Sequence, residues 1–222
     1  DALSGSKAVT GLGQTFYQGT LMGNTVALGT SGVGKVRAAA TAQFMIDRFR
    51  IDSLVFAGVA GGLNPDLTPG DVVVARRTRE HDFDLSGRTD PQKLGSGWFD
   101  TDPYLAGLAL SLGRLLGLPA RAGSVVSGDQ AITTTARKQW LWQTFAADCV
   151  EMEGAAVAQV CALNRVPFLL VRGISDMADH NVYDDFKQHF RRAAGNAADV
   201  ALAVVKALAT APASKPVGEE TV

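Results

Sequence analysis

Short, nearly unbroken apolar runs alternate with helical stretches along most of this chain, and that alternation limits the fold more than any other feature. Thr25 to Leu28, Leu54 to Ala57, Asp71 to Ala75, Ala122 to Val126, Cys149 to Glu151 and Val166 to Val171 read as strands. Lys35 to Arg50 reads as a helix, with Val36, Ala39, Ala40, Phe44 and Phe49 at helical spacing. Further helices are expected from Asp102-Pro103 to about Leu116, with Pro in the first turn, and over Ala136 to Phe145, Glu153 to Leu163 and Tyr183 to Ala209. Residues 78 to 100 are dense in Gly, Ser, Pro and Asp and read as a long loop. Strands that are apolar on both faces belong in a sheet covered on both faces. The expected fold is α/β, a three-layer αβα sandwich around a central mixed, mostly parallel twisted sheet.

At 222 residues the chain suits one domain, expected over residues 1 to 211. The tail from 212 to 222 carries two Pro and paired Glu and is expected to be disordered. Lys plus Arg is 21 and Asp plus Glu 22, so there is no basic excess to hold nucleic acid or an anionic membrane. The most apolar window, Leu105 to Ala120, is broken by Arg114 and ends at Pro119, too short to span a bilayer. Cys149 and Cys161 lack metal-ligand spacing and do not make a disulfide framework, so no metal is expected and a reducing cytoplasm fits.

In open α/β sheets, ligands gather beyond the carboxyl ends of the strands. Four such ends are chemically loaded: Gly58 to Gly62, Ser127-Gly128-Asp129, Glu151-Met152-Glu153, and Arg172-Gly173-Ile174-Ser175-Asp176. Gly29 to Lys35 satisfies a phosphate-loop spacing, but Val36 has no hydroxyl for Mg²⁺, so a tight turn near a small ligand is the better reading. The Gly58 to Gly62 run, with Val59 and Gly61, lets backbone approach either a ligand or another element. Glu151 and Glu153 flank a strand-to-helix junction. They could serve the helix dipole, or accept from vicinal hydroxyls of a sugar. Arg172 and Asp176 could form a plain salt bridge, or a cation near developing charge with a general acid whose pKa is raised. His81 and His180 lie beside Asp82 and Asp179 and are read as making local structural bonds.

Taken together, Ser31-Gly-Val-Gly-Lys-Val36, Ala57-Gly-Val-Ala-Gly-Gly-Leu63, Pro69-Gly-Asp-Val-Val-Val74, His81-Asp82-x-Asp84, Val126-Ser-Gly-Asp129, Val150-Glu-Met-Glu153 and Val166-Pro-Phe-x-x-Val-Arg-x-Ile-Ser-Asp176 resemble the nucleoside phosphorylase/nucleosidase superfamily. Within it the sequence is most similar to the 5′-methylthioadenosine/S-adenosylhomocysteine nucleosidases, over about residues 12 to 200. The resemblance implies cofactor-free hydrolysis of the N-glycosidic bond of an adenine nucleoside by water, in a cytoplasmic homodimer. It implies that Asp176 protonates purine N7 with support from Ser175, and that the Ile132 backbone meets the adenine edge. Met152 would lie under the ribose, Glu153 would bind its 2′- and 3′-hydroxyls and Glu151 would adjoin it. Arg172 would help hold the water. Val33, Val59, Gly61 and Tyr183 would line the base, the sugar or the 5′-substituent.

The phosphorylase branch holds phosphate with an Arg and a Ser, whose places are taken here by Phe56 and Val59, so water is the expected nucleophile. Three departures stand out. The family's opening strand, whose acidic run supplies the general base, would precede Asp1 by extrapolation from Phe16-Tyr17, so no general base is assigned. Ala131 stands where the nucleosidases carry an aromatic beside the adenine-contacting Ile. The loop after His81, Gly87 to Leu94, lacks the usual aromatic residues, which leaves the 5′-substituent open and keeps a futalosine-type hydrolase as the alternative.

Overall fold

The computed structural model describes residues 3–83 and 97–210. Residues 4 to 28, where the apolar pattern marks one strand, form three. β1 (Ser4–Gly11), β2 (Gln14–Leu21) and β3 (Asn24–Leu28) pair antiparallel as a meander. Both turns have positive φ at their central pair, Leu12-Gly13 at 53° and 70° and Met22-Gly23 at 52° and 91°, which is the backbone of primed hairpin turns. β1 was invisible to an apolar-run search because it is largely solvent-exposed and correspondingly polar.

The remaining elements are α1 (Lys35–Phe49), β4 (Leu54–Gly62), β5 (Val72–Glu80), β6 (Phe99–Asp100), α2 (Pro103–Leu115), β7 (Ala120–Ser127), α3 (Thr135–Phe145), β8 (Cys149–Glu151), α4 (Gly154–Asn164), β9 (Phe168–Asp176) and α5 (Val182–Thr210). The predicted helices form within a residue or two. α2 starts where expected, with the Asp102 carboxylate accepting from Leu105 N at 2.9 Å and Pro103 next to it.

Three strands run further than their apolar stretches. β5 continues through Arg76-Arg77-Thr78-Arg79 to Glu80, so residues 78–80 are strand rather than loop. Their backbone is held by parallel pairing to β7, and their polar side chains hid this. Phe99–Asp100 also pairs with β5, whereas residues 84–96, including Gly87 to Leu94, lie outside the described residues, as does the 212–222 tail. β4 absorbs the glycine run to Gly62, and β9 absorbs Arg172 to Asp176, which therefore belong to the strand rather than follow it.

β4 to β9 form a mixed sheet in the order β6-β5-β7-β8-β4-β9. The long registers, β4–β9 and β5–β7, are parallel, and the antiparallel pairings are short. The sheet also closes on itself: β9 pairs with β5 through Val72–Gly173, Val73–Arg172 and Val74–Val171. Alternation along β5 splits the core. Val73 and Ala75 enter one cluster with residues of α1 and α4, while Val72 and Val74 enter another with residues of α2 and α5. No helix among the described residues is long and apolar enough to cross a membrane.

Candidate active site

The C-terminal halves of β5, β7, β8 and β9 supply most of the polar side chains that the fold buries. The largest of these is Arg172, 1% exposed. Its Nη2 lies 2.6 Å and its Nε 3.2 Å from Glu151 Oε2. The guanidinium stacks 4.2 Å from the Phe56 ring centroid. It fits because Gly58 has no side chain: a Cβ there would meet Nη1 at 2.6 Å. Arg172 Nη1 has no partner among the described residues.

Glu151 is fully engaged. Besides Arg172, it accepts from Ser127 Oγ, from Glu153 N at 3.1 Å, and from Gly154 N at 3.0 and 2.7 Å. These amides open α4, so the carboxylate caps that helix while neutralising the arginine. This bears on one reading of the Arg172–Asp176 pair. There is no salt bridge between them, because four residues along a strand span about 13 Å, and the cation is paired across the sheet instead. Both Glu151 oxygens are taken up by protein partners, so the carboxylate supports Arg172 and the start of α4.

Glu153 differs from its neighbour. Gly34 N donates to its Oε1 at 2.8 Å, and Oε2 is 3.9 Å from Arg172 Nη2. Its side chain retains some exposure, which leaves it able to accept from a ligand hydroxyl. Burial raises its pKa, the nearby Glu151 charge adds to this, and the Gly34 hydrogen bond acts against it.

Asp176 ends β9 and is 5% exposed. Ser175 Oγ donates to Oδ2 at 2.8 Å and Ala178 N to Oδ1 at 2.9 Å. Gly61 makes the room, since a Cβ there would lie 2.8 Å from Oδ1. Burial raises the Asp176 pKa despite those two donors, which favour the charged form. Ser175 Oγ also approaches Ala60 O at 3.4 Å. A protonated Asp176 can thus donate to Ser175 Oγ while that hydroxyl turns to Ala60, so the serine accommodates either state.

Ile132 is buried in the cluster with Val126, Val150 and Ala178, next to the end of β9. Met152 and Val59 are half-buried. Val33 and Tyr183 are 70% and 69% exposed, so neither belongs to the buried set. His81 is buried, yet neither ring nitrogen has a partner among the described residues, contrary to the local bond expected of it. Burial lowers its pKa. A cleft of about 770 Å³ lies elsewhere, between β3, α1 and the first half of β4, and carries none of these acids. Sequence reading missed the roles of Ser127 and of Phe56 as the platform under Arg172. Their only signal was position at or beside a loaded strand.

The model of the phosphorylase superfamily matches residues 4–206. The aminodeoxyfutalosine nucleosidase of Campylobacter jejuni is 35% identical over 177 residues, covering 78% of this chain and 77% of that protein. The 5′-methylthioadenosine/S-adenosylhomocysteine nucleosidase of Tolumonas auensis is 33% identical over 213 residues, covering 94% and 93%. Among solved structures, the nucleosidase of that name from Neisseria meningitidis, in complex with methylthio-immucillin-A, superposes with a TM-score of 0.87 at 33% identity, covering 92% of this chain and 91% of that one. The sequence motifs, the mixed sheet and this similarity along nearly the whole length place the chain in the phosphorylase superfamily, with nucleosidases among its relatives.

Proposed function

We propose that this chain hydrolyses the N-glycosidic bond of 5′-methylthioadenosine and S-adenosylhomocysteine, releasing adenine and a 5-thio-substituted ribose. The observation that carries the proposal is Asp176, a buried carboxyl at a strand end with a raised proton affinity. As the C–N bond breaks, its electron pair moves into the purine and Asp176 delivers its proton to N7, so the base leaves neutral. The sugar becomes oxocarbenium-like and is stabilised by the Glu153 carboxylate, which also accepts from the 2′- and 3′-hydroxyls. Water held by Arg172 Nη1 adds to the anomeric carbon and loses one proton to a base that we leave unassigned. In this reading the Ile132 backbone meets the adenine edge, Met152 underlies the ribose, and Val59, Gly61, Val33 and Tyr183 line the remainder.

Water is favoured over phosphate because the Arg172 charge is already matched by Glu151 at 2.6 Å, leaving no surplus cation for a dianion. The frame is a three-layer arrangement, supported by the two core clusters on opposite faces of β5. A cytoplasmic homodimer completes the reading. Free, buried Cys149 and Cys161 suit a reducing compartment, and exposed Leu115, Leu163 and Tyr104 offer apolar surface.

The test is adenine release from methylthioadenosine, adenosylhomocysteine and aminodeoxyfutalosine, each with and without phosphate. Phosphate-independent release from the first two is expected. Turnover that requires phosphate would overturn the choice of nucleophile. Preference for aminodeoxyfutalosine would favour the second reading, which the 35% identity to the Campylobacter jejuni nucleosidase supports. Glu153→Gln is expected to lower kcat/KM about ten- to hundredfold, the value of a hydrogen bond to a charged group. An unchanged kcat/KM would remove Glu153 from the site.

A further inference from the structure

Lys35 holds the place that a phosphate loop gives to its phosphate-binding cation, but acids of its own chain occupy it. Nζ lies 2.7 Å from Asp82 Oδ1 and 3.5 Å from Glu80 Oε1. The other Asp82 oxygen accepts from Asp129 N at 3.0 Å. Asp129 Oδ1 in turn accepts from the backbone N–H of Lys35 at 2.8 Å. These bonds close a ring that leaves Lys35 through its side chain and returns to it through its backbone. One residue earlier, Gly34 N holds Glu153 Oε1 at 2.8 Å.

The start of α1 is thus tied to the ends of β5, β7 and β8 by side chains 47, 94 and 119 residues away in sequence. No side chain of the loop caps α1. The segment leading into the helix requires glycine: Gly32 and Gly34 have φ of 73° and 94°, values that L side chains rarely adopt. What holds it is the ring of carboxylates, and one cation balances that ring. Without Lys35, the charges of Glu80, Asp82 and Asp129 would face one another uncompensated, and the glycine segment would lose its anchor.

We propose that Lys35 is a positioning residue for the sugar site: by clamping Asp82 and Asp129 it keeps the Gly34 N–H on Glu153 and fixes the carboxylate that grips the ribose diol. This rests on the role given to Glu153 above. Lys35 touches neither base nor sugar in this account and acts only through Gly34 and Glu153.

The experiment uses the full chain and two readouts: amide hydrogen exchange over residues 30–36, and steady-state hydrolysis of methylthioadenosine. In Lys35→Met, exchange at Gly34 and Lys35 is expected to accelerate at least about tenfold, because the opening free energy falls by the coupling that the ring supplies. KM should rise about tenfold, with a smaller fall in kcat. Lys35→Arg keeps the charge and should recover most of the loss. Asp82→Asn breaks the same ring from the other side and should reproduce the methionine variant, which guards against a folding defect peculiar to position 35. In a Glu153→Gln background the Lys35→Met effect should shrink to less than about twofold, since the grip it supports is already gone. Unchanged exchange at Gly34, unchanged KM, or a full multiplicative loss in the Glu153→Gln background would each overturn the proposal. If the wild-type chain releases no adenine, it is the functional reading that fails, and the exchange measurement still decides whether the clamp exists.

Discussion

Asp176→Asn should lose about 10²–10⁴-fold in kcat while KM stays within about twofold. The amide keeps the shape of the carboxyl and can still accept from Ala178 N, but it has no proton to give to a departing purine. The wild-type enzyme should also lose kcat as pH rises through the folded-state pKa of Asp176, because the ionised carboxylate cannot act as the acid, whereas the residual rate of the variant should not follow that titration. Stability should move the other way. Burial raises the Asp176 pKa in the folded state above its unfolded value. Its stabilising contribution is therefore complete below the unfolded pKa, about 3.9, and is lost as pH rises through the raised folded value. Above that, a buried charge opposes folding. Asparagine is neutral at every pH, so the variant should melt higher than wild type near neutrality, by about 2–4 °C per kcal/mol at this chain length. The two melting curves should converge in acid. Near-normal kcat in Asp176→Asn would remove the aspartate from the chemistry, and a lower melting temperature at neutral pH would contradict the burial argument.

Glu151→Ala should be the most destabilising single substitution in the site, by about 3–5 kcal/mol, a fall on the order of 10 °C in Tm. It would leave the 1% exposed Arg172 guanidinium without its carboxylate. It would also leave Ser127 Oγ and the amides of Glu153 and Gly154 without their acceptor. Most of that cost is the unpaired cation rather than the pair's own worth. The double variant Glu151→Leu/Arg172→Met should therefore regain much of the lost stability while remaining inactive. Thermal unfolding of the two variants checks this. A Glu151→Ala protein that melts within about 2 °C of wild type would mean that the pair is not desolvated as the fold places it.

The same pair shows where reading from sequence stops. Arg172 and Asp176 lie four residues apart in sequence, which made a salt bridge between them plausible. β-strand rise separates them, and β9 lies in the same closed sheet as β8, whose end brings up Glu151 instead. Glu151 and Glu153 look alike in sequence, two acids at one junction. One faces the α4 amides and Arg172, while the other turns toward Gly34 and keeps an exposed edge. The Gly29 to Lys35 turn was legible as a backbone device, but not the acids that occupy its lysine, because Asp82 and Asp129 arrive from strands far along the chain.

Apolar periodicity was enough to establish an α/β chain with five helices within a residue or two, and the charges beside the apolar runs marked Asp176, Glu153 and Arg172 as candidates. Those features are local: the helical pattern, the length of an apolar run, and the charge beside it are all written in neighbouring residues. Tertiary structure alone decided that the sheet closes through β5–β9, that Arg172 is neutralised by Glu151 over Phe56, and that Lys35 ties α1 to the ends of β5 and β7. Each of these is a pairing between distant segments. Such pairings are selected by burial and by which partners the packed backbone brings within hydrogen-bond reach, and no local pattern encodes that choice.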